Sequence, residues 1–566
     1  MKKIWHFLCS DLSPLGPSPI VVILLIVLAL QCVMSMRVKS PVCDEVSHHI
    51  GMGYSFLKTR DFRLNSTSPP LTEELAALPL LALNPKLPLQ HPSWKNIDRV
   101  TFGYEFLFRA NKTADQLVFW SRVPMVALSV LCGLLVFIFA KELYGRGAGL
   151  FALFLYSFSP NIIAYSRLVT PDIGASFLIL FAIYRYYKFL RKHTWKNVIF
   201  AGIALGLALT SKLSALLLIP VFLIIILWKV IESRGMRLRY LDSFVLIFII
   251  CAATIFTVYL GEVKPLLEND IDVHEKIAYL DKGVDKIFGP DSNRTKEKVI
   301  EFALNVPVPF ATYLMNILSE TNMVFVKDYG TYLFGKRSNR GWWYYYIFVF
   351  LLKTPIVTLL LIALSILLGI GLKAKERWAV RILIIFLAGF IAASLMTRLQ
   401  LSVRYLLPIY PIIFILISRI ASVKIKKQLL LSAALIIFGI WYAVEALAIY
   451  PNYISYFNQF AGGADNGWRS LRDSNIDYGQ DLPLLAAYLK KNNIKKIKLS
   501  YFGTADPKYY GIKYNSLTEA DQIEPSREVY AISANHIDGV EWADKNKPDA
   551  KAGYSIFIYD FRNKKI

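Results

Sequence analysis

Charge is scarce in this chain. Asp, Glu, Lys and Arg make up only 19% of its 566 residues, against roughly 25% in an ordinary soluble protein. Four stretches, 12–36, 147–166, 243–260 and 354–372, carry no formal charge at all. Each is close to or above the ~18 apolar residues that read as a bilayer-spanning helix. Cysteine is scarce as well. Cys9, Cys32, Cys43, Cys132 and Cys251 form no CxxC pair, and four of them lie in or beside apolar segments. They read as buried apolar thiols, which excludes a disulfide scaffold and a cysteine zinc framework. Low-complexity tracts and internal repeats are absent, and the long apolar runs exclude a soluble enzyme and a disordered chain.

What is abundant is apolar surface, at 55% of residues and a mean hydropathy of +0.43. This is the profile of a polytopic membrane protein. The net charge of +23 points to a bilayer rather than to nucleic acid once its position is considered. With a cytoplasmic N-terminus, the inside segments are the tail with Lys2 and Lys3, Lys141–Arg146, Arg185–Lys196, Lys229–Asp242, Lys373–Arg381 and Arg419–Lys427. Together they hold 21 Lys or Arg and 5 Asp or Glu, as the positive-inside rule requires. The hydropathy predicts eleven spans, near 18–36, 118–140, 147–166, 172–190, 197–211, 213–230, 243–260, 342–372, 382–397, 405–420 and 428–446. Residues 197–230 are divided in two at Thr210-Ser211-Lys212, because one helix would bury Lys212 in mid-membrane. The first run lacks a small-residue cleavage site and reads as a retained helix.

An odd number of spans puts the C-terminus outside. A transmembrane domain over 1–446 then presents loops 37–117 and 261–341 on the outer face, beside an extracytoplasmic α/β domain over 447–566. In that tail an amphipathic helix (Leu482–Asn492) precedes strands near Lys496–Phe502, Glu528–Ser533 and Tyr554–Phe561. Loop 261–341 is predicted to carry amphipathic helices at 273–288 and 295–304. The aromatic run Trp342–Tyr346 reads first as an interfacial belt, with sugar stacking as the alternative. Sequons at Asn65, Asn111 and Asn293 fall in the outer loops.

Charges at membrane edges are costly and mark candidate sites. Asp44 and Glu45 follow the first span, Asp172 opens the fourth behind Thr170 and Pro171, and Lys353 and Arg404 sit at the outer ends of two later ones. All five converge on one leaflet. On a helix, Asp44 would face His48 and Glu45 would face His49, a spacing suited to a divalent cation. The bland readings are a helix cap for Asp172 and snorkelling for Lys353 and Arg404.

The surrounding sequence carries a resemblance. It begins with DEVSHHIGMGYSFLKTRDFRLN from Asp44 and SPPLTEELAALPLLAL at 68–83, and continues through TPDIGASF at 170–177, LTSKLSALLLIP at 209–220 and VPVPF at 306–310. FGKRSNRGWWYYYIFVFLLKTP at 334–355, VRYLLPIYP at 403–411 and GWRSLRDSNIDYGQDLPLLAAYL at 467–489 complete it. In this order they resemble the bacterial family 39 glycosyltransferases, relatives of protein O-mannosyltransferases and aminoarabinose transferases. The tail motif resembles the subgroup called phospholipid-carrier-dependent glycosyltransferases.

The resemblance implies a GT-C fold, inversion at the anomeric carbon and a sugar donor on polyprenyl phosphate. Asp44 matches the family's presumed general base, and Asp172 its second acidic position, orienting the acceptor or a metal. Arg404, in its Arg-Tyr-x-x-Pro context, is the first candidate for the donor phosphate and Lys353 the second. Glu45 is a further catalytic candidate. Glu45, His48 and Glu73, with Glu74 as an alternate, are the candidate ligands if a divalent cation is the cofactor.

The chain departs from the family pattern at Ser68, before Pro69-Pro70, at Glu73-Glu74 after it, and at Tyr478 where tryptophan is common. Asp473, Asn475, Asp477 and Gln480 form a polar cluster that either faces sugar or closes a turn ahead of the 482–492 helix. The expectation is an integral plasma (inner) membrane enzyme moving a sugar to a lipid, glycan or protein hydroxyl, with no nucleic-acid partner. En bloc oligosaccharide transfer and a non-enzymatic lipid-sugar flippase are the alternatives.

Overall fold

The computed structural model describes residues 19–64, 68–232, 237–267, 277–278, 280–281, 285, 293–325, 328–367, 377–423, 428–543 and 545–563. The N-terminal tail, Asn65, most of the helix expected over 273–288, and the basic residues within 373–376 and 424–427 lie outside them.

Among the described residues, seven helices are long and apolar enough to cross a membrane. These are Pro19–Met36, Ala114–Tyr144, Pro171–Arg191, Leu213–Glu232, Arg237–Val258, Arg377–Met396 and Leu429–Ala448. Two bent pairs bring the number to nine if each counts as one span: Arg146–Ser157 with Pro160–Ser166, at 63°, and Tyr345–Lys353 with Ile356–Leu367, at 110°. Trp195–Leu209 and Ile409–Ser422 are shorter apolar helices. Each of the eleven expected segments falls on one of these elements.

The bends have covalent causes. Pro160 follows Ser159, whose side chain caps the new helix at Ile162. Pro355 removes a backbone donor and disfavours the helical conformation at Thr354, which is extended. The span expected over 342–372 is therefore bent within its described residues, and Lys353 stands at the corner. The break expected at Thr210–Lys212 is present. Lys212 has extended backbone, between the helix Trp195–Leu209 and the 3-10 turn Leu213–Leu217.

Close approach of helices depends on small residues where packing alone must hold them. Gly202 and Gly206 lie one turn apart on Trp195–Leu209, against Arg237–Val258. A Cβ at Gly202 would lie 2.7 Å from the Ile250 side chain, and one at Gly206 2.5 Å from Thr254.

The described parts of both loops meet the C-terminal domain at one end of the bundle. The tail folds as expected, with the helix Leu482–Lys491 and strands Ile497–Ser500, Val529–Ser533 and Ile556–Asp560. Tyr514–Ser516 and Ala550–Ala552 complete a five-stranded sheet. Ile497–Ser500 is central to a parallel trio, flanked by Tyr514–Ser516 on one side and Val529–Ser533 on the other. Ile556–Asp560 and Ala550–Ala552 extend it antiparallel. The loop after the first span is laced to the tail: Ser40 N–H donates to Gln480 O at 3.1 Å and Cys43 N–H to Tyr478 O at 2.9 Å. Lys39, buried, donates to Asp481 and to Asn452.

Beneath that lacing lies a buried ion pair. Arg122, inside Ala114–Tyr144, donates from Nε to Glu45 Oε1 at 2.8 Å and from Nη2 to Glu45 Oε2 at 2.6 Å. Its remaining donors reach the carbonyls of Met36, Lys39 and Ser40. Glu45 also accepts from the backbone of Val42 and Val169. Removing one member of such a pair leaves an uncompensated buried charge, at a cost of roughly 3–5 kcal/mol. Glu45→Gln is expected to lower the thermal unfolding midpoint of the purified protein sharply, whereas a surface change such as Glu541→Gln leaves it in place. An unchanged midpoint in Glu45→Gln refutes the anchoring role.

Candidate active site

The first loop enters the site through an unusual turn. Glu45–His49 is a π-helical turn, joined directly to the helix Ile50–Thr59. Its wider ring changes which side chains share a face, and such turns recur at functional positions. Glu45 turns inward onto Arg122, while Asp44, partly exposed, turns toward the tail.

Asp44 Oδ2 accepts from Arg404 Nη1 at 2.7 Å and from the Tyr478 hydroxyl. Arg404 Nη1 also donates to the Tyr478 oxygen. The guanidinium lies 4.9 Å from the Tyr478 ring and 5.2 Å from that of Tyr405. Its segment is held from both flanks. Ser402 Oγ accepts from Arg404 N–H at 3.1 Å, and Asn475 Oδ1 accepts from Val403 N–H at 3.1 Å. Arg404 Nε is buried, with no hydrogen-bond partner among the described residues.

A second ion pair flanks the first. Asp172 Oδ1 accepts from Lys212 Nζ at 2.7 Å, and that ammonium lies 4.5 Å from the Tyr405 ring. Tyr405 thus stands between two cations. Asp172 Oδ2 is buried without a hydrogen-bond partner among the described residues. Lys212 and Tyr405 line a cavity of about 390 Å³ that also contains Glu320. An apolar groove of about 590 Å³ shares Tyr346 and Ser394 with it and runs between Ile362, Leu387 and Ile413.

Burial alone would raise the Asp44 carboxyl, but the Arg404 guanidinium, helped by His48 and His49, outweighs it and holds the group well below the usual carboxylate range. Burial moves His48 the other way, down to about 4, so this ring is neutral at physiological pH.

The predicted residues separate into two sets. Asp44, Asp172 and Arg404 are brought into one cluster, as expected. Lys353 is not in it. Its Nζ donates to Ile454 O at 2.8 Å and Asn475 O at 2.6 Å, over the Phe457 ring, so it pins the tail to the corner. Glu45 is structural, with both oxygens engaged.

The ligand set Glu45, His48 and Glu73 is not assembled. His48 Nδ1 is paired with Ser47 Oγ at 2.5 Å. His49 Nδ1 faces Glu73 Oε1 at 2.9 Å instead of Glu45. No group of three His, Cys, Asp or Glu suited to a metal ion occurs among the described residues.

In the tail motif, Asn475 spends its amide on Tyr345, Leu401 and Arg472. Gln480 closes on Tyr478 N–H and Ile476 O, and Asp477 on Gly479 N–H. These three lock a turn, and Asp473 alone borders a cavity. Sequence reasoning missed Lys212, Tyr478 and Arg122 as site residues. The signal for Lys212 was present, as a lone cation between two apolar runs, but it was read as a turn. Tyr478 registered only as a departure from a pattern.

The fold and this cluster define a polytopic helical membrane protein with two coupled carboxylate–cation pairs at the end of its bundle that carries the C-terminal domain. Residues 114–256 match the family model described as dolichyl-phosphate-mannose-protein mannosyltransferase. That segment contains Asp172 and Lys212, and the match agrees with the resemblance read in the motifs. No curated protein matches the chain by sequence. Among solved structures, ArnT from Cupriavidus metallidurans bound to undecaprenyl phosphate aligns over 95% of this chain and 97% of its own, at 10% identity and a TM-score of 0.46. The archaeal oligosaccharyltransferase AglB from Archaeoglobus fulgidus, in complex with an inhibitory peptide and a dolichol-phosphate, aligns over 76% of this chain at 15% identity and a TM-score of 0.41. The alignment covers 55% of AglB, about half its length.

The buried acids beside the site carry a pH signature. Burial, and then the neighbouring Glu73, raise the Glu74 carboxyl from 4.5 to about 8. Between those values the unfolded chain has released the proton and the folded chain keeps it, so this group's contribution to stability falls as pH rises. Glu74→Gln is expected to match wild type near pH 4.5 and to unfold at a higher temperature near pH 8. Equal midpoints at pH 8 refute the burial argument.

Proposed function

We propose that this protein is an integral-membrane, inverting glycosyltransferase of the GT-C type. It moves a sugar from a polyprenyl-phosphate donor to an acceptor hydroxyl on the outer face of the membrane. The observation that carries the reading is the Asp44–Arg404–Tyr478 cluster standing beside an apolar groove. A single site then offers a base, a phosphate-binding fork and room for a lipid chain.

In the resting protein Arg404 and Tyr478 both spend hydrogen bonds on Asp44. A polyprenyl phosphate with its tail in the groove between Ile362, Leu387 and Ile413 brings its phosphate to Arg404, whose planar fork suits it. Sharing that cation weakens its hold on Asp44 and lifts the carboxylate's basicity toward the range useful for catalysis. Asp44 then takes the acceptor's hydroxyl proton as the oxygen attacks the anomeric carbon. The bond from that carbon to the phosphate oxygen breaks, and polyprenyl phosphate leaves with the electron pair. Arg404 and Lys212 stabilise the charge that develops on it, while Asp172 holds Lys212 in place and offers Oδ2 to a substrate hydroxyl.

The test is release of polyprenyl phosphate from a panel of short-chain polyprenyl-phosphate sugars in membranes. Wild type is expected to release it. Asp44→Asn is expected to lose at least ~100-fold at unchanged expression, and Arg404→Gln to lose turnover as well. Unchanged turnover in Asp44→Asn removes Asp44 from the mechanism. Movement of every donor across the bilayer without release overturns the transferase reading in favour of a flippase.

A further inference from the structure

The C-terminal sheet holds a crevice that the transfer cluster does not use. From the central strand Ile497–Ser500 the chain goes to Tyr514–Ser516 on one side, then crosses to Val529–Ser533 on the other. The connection leaving Ile497–Ser500 runs to Tyr514–Ser516 on one side and the connection leaving Val529–Ser533 runs to Ala550–Ala552 on the other, which opens a gap at the carboxyl ends of these two neighbouring strands. In open α/β sheets such a switch point is where ligands bind. A cavity of about 160 Å³ lies there, bordered by Phe502 and His536, which follow those two strand ends. Two distant segments close it: Arg337, from the hairpin Thr331–Leu333 and Lys336–Ser338, and Asp473, from the tail motif.

The free groups define the ligand. Asp473 Oδ1 accepts from Ser474 N–H at 2.6 Å and from its hydroxyl at 2.9 Å, while Oδ2 has no hydrogen bond among the described residues. His536 Nδ1 pairs with Ser500 Oγ at 2.9 Å, and its Nε2 likewise has none. Burial, and then Arg337, lower the His536 pKa, so the ring is neutral and takes either hydrogen-bond role. The cations of the crevice are already matched: Arg337 lies 3.0 Å and Arg472 2.6 Å from Asp538. Phe502 supplies an apolar face. At ~30 Å³ per water the volume equals about five waters, enough for one small ring and well below a ~300 Å³ drug-sized pocket.

The crevice is wired to the transfer cluster. Ser474, beside Asp473, gives its carbonyl to the Tyr165 hydroxyl, which also pairs with Ser402. Asn475 holds the backbone of Val403.

We propose that this crevice binds one neutral sugar ring of a glycan acceptor, with Asp473 and His536 reading its hydroxyls and Phe502 packing against a ring face. Calling the ring an acceptor rests on the transferase reading. Its binding at the switch point does not.

The test is thermal unfolding of the full chain in nanodiscs against methyl glycosides of common hexoses, pentoses and N-acetylhexosamines, with inorganic phosphate and a Ser/Thr peptide alongside. A ligand that binds only the folded state raises the midpoint with concentration. At least one glycoside is expected to stabilise wild type and Asp44→Asn equally. Asp473→Asn, which keeps an oxygen for Ser474, and His536→Ala are each expected to raise its half-saturating concentration at least tenfold. Phe502→Leu serves if either variant fails to fold.

Protection that survives in the crevice variants, or that is lost only in Asp44→Asn, overturns the proposal. So does protection by phosphate or peptide alone, or by no glycoside. Failure of the transferase reading appears separately, in the absence of polyprenyl phosphate release.

Discussion

Burying a carboxylate and a guanidinium costs several kcal/mol per ion unless every oxygen and N–H finds a partner. Glu45 and Arg122 meet that condition. Two backbone N–H groups complete the carboxylate, and three carbonyls from 36, 39 and 40 complete the guanidinium. The chain between the first span and the π turn is thereby fixed against the second long helix. Asp44 immediately precedes Glu45, so its direction is inherited from this fork. The backbone lacing of Ser40 and Cys43 to the tail follows from the same fixed path. Everything that meets at the site is positioned, at one or two removes, by this pair.

Above that anchor the site is built from pairs left incomplete. Asp44 is matched by Arg404 and Tyr478, and Asp172 by Lys212, yet Arg404 Nε and Asp172 Oδ2 stay without hydrogen-bond partners among the described residues. A fully satisfied network would be rigid and chemically idle. Half-satisfied groups in a partly dry cavity bind a substrate that completes them. The contrast between Glu45 and Asp44 puts both conditions in adjacent residues.

Much of this was legible in the sequence. Apolar runs located the membrane helices, and residue alternation located three strands of the tail, because hydropathy and backbone stereochemistry act over a few residues. The rim position of Asp44, Asp172 and Arg404 was legible as well, since the cost of charge in hydrocarbon confines such groups to a span's end. Lys353 obeyed the same rule and was misassigned. Pro355 bends the chain by 110° just beyond it, and the carbonyls of Ile454 and Asn475 claim its ammonium. The polar tail cluster was ambiguous for a related reason. Residues that close a turn and residues that face a sugar have the same composition, and only their partners distinguish them.

The sequence by itself determined where the chain is apolar, where it turns at Lys212 and which end of the bundle carries charge. The tertiary structure decided which of those charges meet. Asp44 and Arg404 are 360 positions apart, and whether they touch depends on a π turn that swings one acid inward and its neighbour outward. It depends equally on a tail segment folded back to deliver Tyr478 between them. Electrostatic energy falls with distance in space. No local property of the chain records that distance, so the pairing existed only once the fold had closed.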